Sequence, residues 1–369
     1  MDLEGTDRTI VDLLRGAAPP RSLPPDLHLR ARLHGVSALL AATFEADGET
    51  LREVPELTAT LAAHELYERL HLQRLRELLD ALDAARIDHV LLKGTPVAHQ
   101  YYDRPALRSR GDTDVLVSPD AFEHAASVLV ALGYARTLDA GGRLQRSQAS
   151  FERTDGVRCL HVFDLHHAIS DRRSLGGAFD WQELHAATRR VPSIHERARS
   201  LTPSYQLLHA CLHRAAHLHA PYRVDQHEHG GDRLVWLYDV ALIARSLRDD
   251  EWRALAELAR EKGLAEVLLA GLETARTAFP FDVPAETTTA LGAVRGEPSA
   301  RLLQPARTSA LLEDVRALES WRARLALVAE IAFPPASYMH ERYGTRNDLL
   351  LPWLYLRRAV RGGLKQLRT

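Results

Sequence analysis

"LRSRGDTDVLV", residues 107–117, is the stretch on which the reading of this chain turns. An arginine-rich turn leads through Gly111 to Asp112 and Asp114, and the apolar β-formers Val115, Leu116 and Val117 follow at once. Such a run predicts a buried strand, where an unpaired carboxylate is costly. Side chains alternate along a strand, so residues 112 and 114 face the same side of the sheet. Two like charges there repel unless something positive sits between them. A hard divalent cation, Mg²⁺ or Mn²⁺, takes carboxylate oxygens and keeps open positions for phosphate.

Upstream, "HVLLKG" (89–94) reads as a short apolar strand ended by glycine, and "TPVAHQYY" as a helical turn after it. Gly94 lets backbone amides approach an anion, and Thr95 falls in the first turn of a helix, where amides and dipole favour phosphate. Lys93 and Arg108 supply charge-assisted contacts. Lys93 draws notice because only three of the 47 cationic residues are lysine. Downstream, "PDAFEHAASVLVALG" reads as an amphipathic helix between Pro119 and Gly133. "SFERTDGVRCLHVFDLHHAIS" then reads as two strands joined by "TDG". The second of these strands carries Asp164 and, on the same face, His166. Three carboxylates on adjacent strands can hold two metal ions ~3.5–4 Å apart for phosphoryl or nucleotidyl transfer, and Asp164 can also take the proton of an attacking hydroxyl.

Strand, helix, strand, helix and hairpin make a small α/β unit with a mixed sheet. Three regions follow: helices over 1–86, broken by "AAPPRSLPP" at 17–25; an α/β core over 87–177; and helix signals alone over 178–369. Leu75, Leu78, Leu79 and Leu82 recur at helical spacing just before the core and are expected to cover it. A net charge of −2 makes the whole molecule no electrostatic trap for nucleic acid. Cys159 and Cys211 cannot build a disulfide framework, and no apolar run approaches the ~20 residues that span a bilayer. The expectation is a cytoplasmic protein.

Taken together, "LLKGTPVAHQYYDRPALRSRGDTDVLV", "FDLHHAI", "LHACLHRAAH" and "RLVWLYDVALI" resemble the uncharacterised nucleotidyltransferase family of the polymerase-β-like superfamily. That family carries an LLKG strand, an Arg four residues before D-x-D, and a later D-x-H. The resemblance covers roughly residues 60–250, with "FPPASYMHERYG" and "LPWLYLRRAVRGG" similar to the family's tail. It implies Mg²⁺-dependent transfer of a nucleotidyl group from an NTP to a hydroxyl. Asp112 and Asp114 match the metal-binding pair, Asp164 the third carboxylate, and Gly94 and Thr95 the superfamily's Gly-Ser, with Thr in place of Ser. Lys93, Arg108 and His166 are further nucleotide-binding candidates. The acceptor is open among small alcohols, antibiotics, peptides, protein side chains and RNA ends.

Two rivals come from other classes. One is a nucleotide- or RNA-binding module of the same fold without activity. The other is a zinc hydrolase built on His209, His213 and His217, spaced four apart on one helix, with His227 and His229 nearby. Asp239 lies among Trp236, Leu237, Tyr238 and Leu242, so burial is expected to demand a partner, in a core salt bridge. Arg104 and Arg110 flank the D-x-D and are open to triphosphate, an RNA acceptor or solvent.

Overall fold

A computed structural model describes residues 5–45, 55–137, 147–170, 178–304 and 320–366. The boundary expected at 177 falls on residues 171–177, outside the described residues. Helices α1 (Gly5–Leu14), α2 (Leu27–His34), α3 (Ser37–Thr43) and α4 (Pro55–Ala84) precede the sheet. Next come β1 (His89–Leu92), α5 (Gly94–Tyr101), β2 (Thr113–Val117), α6 (Phe122–Ala131), β3 (Ala135–Arg136) and the hairpin β4 (Gln148–Thr154) and β5 (Leu160–His166). Then follow α7 (Trp181–Ala186), β6 (Thr188–Arg190), β7 (Arg199–Leu201) and α8 (Pro203–His217). A small hairpin, β8 (Tyr222–Val224) and β9 (His227–His229), leads into α9 (Leu234–Ser246), α10 (Asp249–Glu261), α11 (Ala265–Ala278) and α12 (Ala285–Gly292). The described chain ends with α13 (Trp321–Ala332), α14 (Ala336–Tyr343) and α15 (Leu351–Gln366).

The sheet is mixed, in the order β3-β4-β5-β2-β1-β7-β6. β2 pairs antiparallel with β1 and parallel with β5. One expectation is corrected here, that of helices alone beyond residue 178. β7 lies parallel to β1 through Leu91 and Ser200, and β6 closes that edge. These strands are three residues long and read TRR and RSL, with no apolar alternation to mark them. Backbone pairing places them, helped by the Gln100 side chain donating to Ser200 Oγ at 2.9 Å.

The pleat sends alternate residues into two different cores. Val90, Leu92 and Leu116 join a core built from α1–α3 and α8–α11, while Leu91, Val115, Val117, Phe163 and Leu165 join one built from α4 and α6. Leu75, Leu78, Leu79 and Leu82 of α4 sit in the second core, as their spacing predicts. Helices that precede the sheet and helices that follow it therefore share one layer on one face of the sheet. Even-numbered positions of β2 and β5 point toward that layer, which decides where the polar residues of these strands emerge.

Candidate active site

Asp114 is the second residue of β2 and pairs in register with Asp164 of the parallel neighbour β5. Ser150 of β4 is next to Asp164, and Leu92 of β1 is next to Asp114. One cross-strand row thus carries Ser150, Asp164 and Asp114, with His166 two residues further along the same face of β5. Ligand atoms of Asp114, Asp164 and His166 all lie within 4.8 Å of one another. Asp112 precedes the strand, is exposed at the cavity lip and lies outside that group, yet it lines the same cavity as Asp114.

Asp114 is almost fully buried and would be untenable alone. Lys93 Nζ donates to its Oδ1 at 2.5 Å, and His166 Nε2 donates to the same oxygen at 2.8 Å. Burial works to raise the Asp114 pKa, but Lys93 and His166 outweigh it and hold the carboxyl far below the usual range. The pair likewise keeps Lys93 protonated, against the effect of burial. Asp164 accepts from Ser150 Oγ at 2.5 Å. Asp112 has no such support: desolvation first, then the charges of Asp114 and Asp164, push its carboxyl up to about 6.

Lys93 reaches Asp114 because its backbone takes φ 53°, a left-handed conformation rare for a side-chain-bearing residue, at the junction of β1 and α5. α5 then begins at Gly94, which lines the cavity and so sets the positive end of the helix beside it. A Cβ on Gly94 would lie 3.0 Å from Nη1 of Arg108, so the glycine admits that guanidinium against the helix start. Arg108 is held by Asp239 of α9, with Nη2 donating to Oδ2 at 2.7 Å and Nε to the same oxygen at 3.2 Å. The salt bridge expected of Asp239 is thus the one that positions Arg108. Tyr102 donates a further bond to Asp239 at 2.7 Å.

Thr95 is buried, and its hydroxyl faces the protein: it is 2.7 Å from Thr113 Oγ1 and accepts from Arg110 Nε at 3.1 Å. Arg110, open in the sequence between triphosphate, RNA and solvent, is paired with Glu68, which also accepts from His99 at 2.9 Å. Burial would raise Glu68, but His99 and Arg110 bring it down to about 2. Arg104 pairs with Glu65 at 3.0 Å and with Glu45 at 2.5 Å.

Lys93, Gly94, Arg108, Asp112 and Asp114 line one cavity of about 570 Å³, a size suited to a nucleotide. Its far wall comes from the helical layer: His209, His213 and His217 of α8, Trp236 and Arg233 at the start of α9, and Tyr222 of the small hairpin. Arg233 stacks over the Tyr222 ring at 3.6 Å, and burial brings its pKa down to about 10. Burial also lowers His209 to about 3, with Lys93 adding to the effect, so this wall histidine is neutral. The three α8 histidines do not form a metal group: among the described residues the clusters with ligand spacing are Asp114/Asp164/His166 and Asp155/Cys159/His161. His229 is occupied with the Asp232 carbonyl at 2.8 Å.

A hard divalent ion fits the first cluster. Asp114 and Asp164 offer carboxylate oxygens from adjacent strands, and both bonds to Asp114 fall on Oδ1, leaving Oδ2 unengaged among the described residues. Sequence reasoning missed Ser150, the partner of Asp164, and the wall of Tyr222, Arg233 and Trp236. Ser150 had a misleading signal: a turn on "TDG" would set Arg146 opposite Asp164, whereas Thr154 itself pairs with Leu160 and the loop spans 155–159, which brings Ser150 opposite Asp164. The wall had none, because its pieces meet only in the tertiary fold.

Residues 24–280 match the model of a family described as uncharacterised nucleotidyltransferase, and the chain belongs to that family. Among solved structures, the chain is similar to an antigenic nucleotidyltransferase-like protein from Paracoccidioides brasiliensis at 13% identity. That match covers 60% of this chain and 93% of the other, with a TM-score of 0.34. No curated protein matches. Among the described residues no helix is long and apolar enough to cross a membrane.

Proposed function

We propose that the chain transfers a nucleotidyl group from an NTP to a hydroxyl-bearing acceptor. The observation that carries this reading is the pairing of Asp114 with Asp164 on adjacent strands, beside a helix N-terminus that opens at Gly94 on a nucleotide-sized cavity. Asp112, Asp114 and Asp164 would hold Mg²⁺ or Mn²⁺, which neutralises phosphate charge when bound. The amides of Gly94 and Thr95 cradle the triphosphate with Lys93 and Arg108, and the Asp239 bridge keeps Arg108 aimed. His166 keeps one oxygen of Asp114 in place. Asp164 accepts the acceptor's proton, and in-line attack at the α-phosphorus expels pyrophosphate. The enzyme belongs on this reading to the cytoplasm.

Lys93 already neutralises Asp114, and that observation favours a second reading, nucleotide binding without transfer. Incubation separates the two. Each NTP labelled at the α-phosphate is mixed with Mg²⁺ or Mn²⁺ and a cell extract, which is then resolved into RNA, protein and small-molecule fractions. Label is expected in one fraction with the unaltered chain and at least 100-fold less with Asp112→Ala. Equal labelling by both removes the role assigned to Asp112, and binding with no labelling supports the second reading.

A further inference from the structure

The face of the sheet opposite the carboxylates carries a second polar assembly that the reaction does not use. It starts at the β4–β5 turn. Asp155 Oδ1 accepts the amides of Val157 and Cys159 at 3.0 and 2.9 Å, which turns Oδ2 toward His161, 3.2 Å from its Nε2. Ligand atoms of Asp155, Cys159 and His161 all lie within 4.8 Å of one another. Two ligands of a tetrahedral zinc ion, each about 2.0–2.1 Å from it, are about 3.3 Å apart. The oxygen and nitrogen of this turn already have that spacing. His161 is fully buried, and its Nδ1 meets Nδ1 of His71 at 3.2 Å, as a ligating imidazole uses its other nitrogen on an outer partner.

We propose that Asp155, Cys159 and His161 form a binding site for a borderline divalent ion of the zinc class, through carboxylate oxygen, thiolate sulfur and imidazole nitrogen. The set is chemically selective. A thiolate with an imidazole favours zinc over magnesium, whereas Asp114 and Asp164 on the other face favour the hard ion. Asp155 and a Cys159 thiolate neutralise the two charges of the ion, the thiol proton leaves to solvent, and a water completes four-coordination.

Occupation has a consequence at the active site through a chain of hydrogen bonds. From His71, Nε2 lies 2.8 Å from Thr113 Oγ1, which lies 2.7 Å from Thr95 Oγ1. Without an ion the Asp155 carboxylate can only accept, so His161 donates from Nε2 and its bare Nδ1 accepts from His71. His71 Nε2 then accepts from Thr113, and Thr113 accepts from Thr95. With an ion on Nε2 every bond reverses: His161 donates to His71, His71 to Thr113, and Thr113 to Thr95. The ion thereby sets the tautomer of His71 and the proton direction at Thr113, the residue between Asp112 and Asp114.

The test uses the full chain, reduced and metal-free. Titration with Co²⁺ is expected to give a thiolate-to-cobalt charge-transfer band that saturates at one ion per chain. Cys159→Ser should abolish it, and Asp155→Asn should weaken binding at least tenfold. The band isolates this site from the carboxylates of the active site, which hold no sulfur. Cys159→Ser alters a half-buried turn residue, and its metal-free melting temperature, expected to match the parent chain, controls for folding. In ¹⁵N spectra, zinc should move the His71 ring proton from Nδ1 to Nε2 in the parent chain and leave it in place in Cys159→Ser. No band, or the same band in Cys159→Ser, overturns the site. Zinc binding without exchange at His71 overturns the coupling.

Discussion

At the residue scale the site sets function against stability. Asp112 is charged at neutral pH although its surroundings resist it, with its pKa raised from 3.8 to about 6. Because the folded state binds that proton more tightly than the unfolded chain, the charge destabilises the fold above pH 6, and the penalty vanishes as pH falls toward 3.8. Asp112→Asn is therefore expected to stabilise the protein at pH 7 by on the order of 1 kcal/mol after allowance for solvent screening. The gain should shrink toward zero at pH 4, as read from urea unfolding at both pH values, while transfer is lost. A gain over the parent chain no larger at pH 7 than at pH 4 contradicts the assignment. Asp239 behaves oppositely. Asp239→Asn leaves the Arg108 guanidinium buried and unpaired, at a cost of about 3–5 kcal/mol. A loss below about 1 kcal/mol on chemical denaturation would show that Arg108 finds other partners.

At the scale of elements, the junction of β1 and α5 does most of the positioning. Gly94→Ala adds a Cβ 3.0 Å from Arg108 Nη1, which donates to the Ser109 carbonyl while Asp239 holds Nε and Nη2 of the same planar group, so the crowding is not relieved by a simple swing of the side chain. The expected result is a stability loss of about 1–3 kcal/mol and weaker binding of Mg-NTP by calorimetry. Unchanged nucleotide affinity would separate Gly94 from the phosphate cradle. Much of this element was legible. A Val/Leu run closed by glycine marks β1, the spacing of Asp112 and Asp114 marks the carboxylates, and "TDG" marks the hairpin that carries Asp164. What stayed hidden depends on pairings between distant segments. The alternation pattern puts Asp112 in the strand, but the ladder begins at Thr113. Thr95 stands where the superfamily has Ser, but Thr113 and Arg110 claim its hydroxyl. The sequence marks Lys93 for the triphosphate, but its bond to Asp114 arises from a backbone conformation that no spacing reveals.

At the scale of the molecule, the sheet and its helical layer are one folding problem. β7 lies against β1, and the residues that cover Val90, Leu92 and Leu116 come from helices both before and after the sheet. A chain stopped at residue 177 is expected to lack cooperative unfolding, because it exposes that face. A sharp thermal transition from such a fragment would show that the core stands alone. The charge arrangement of the whole cavity leads to the claim that matters most: the carboxylates and the Gly94 cradle act on the α-phosphorus. NTP labelled on both the α- and the γ-phosphate tests it most directly, with the unaltered chain and Asp114→Asn compared in the presence of extract and Mg²⁺. The account predicts that α-label joins the acceptor while γ-label leaves as pyrophosphate, and that Asp114→Asn does neither. Transfer of γ-label to the acceptor, or equal α-transfer by Asp114→Asn, would contradict it.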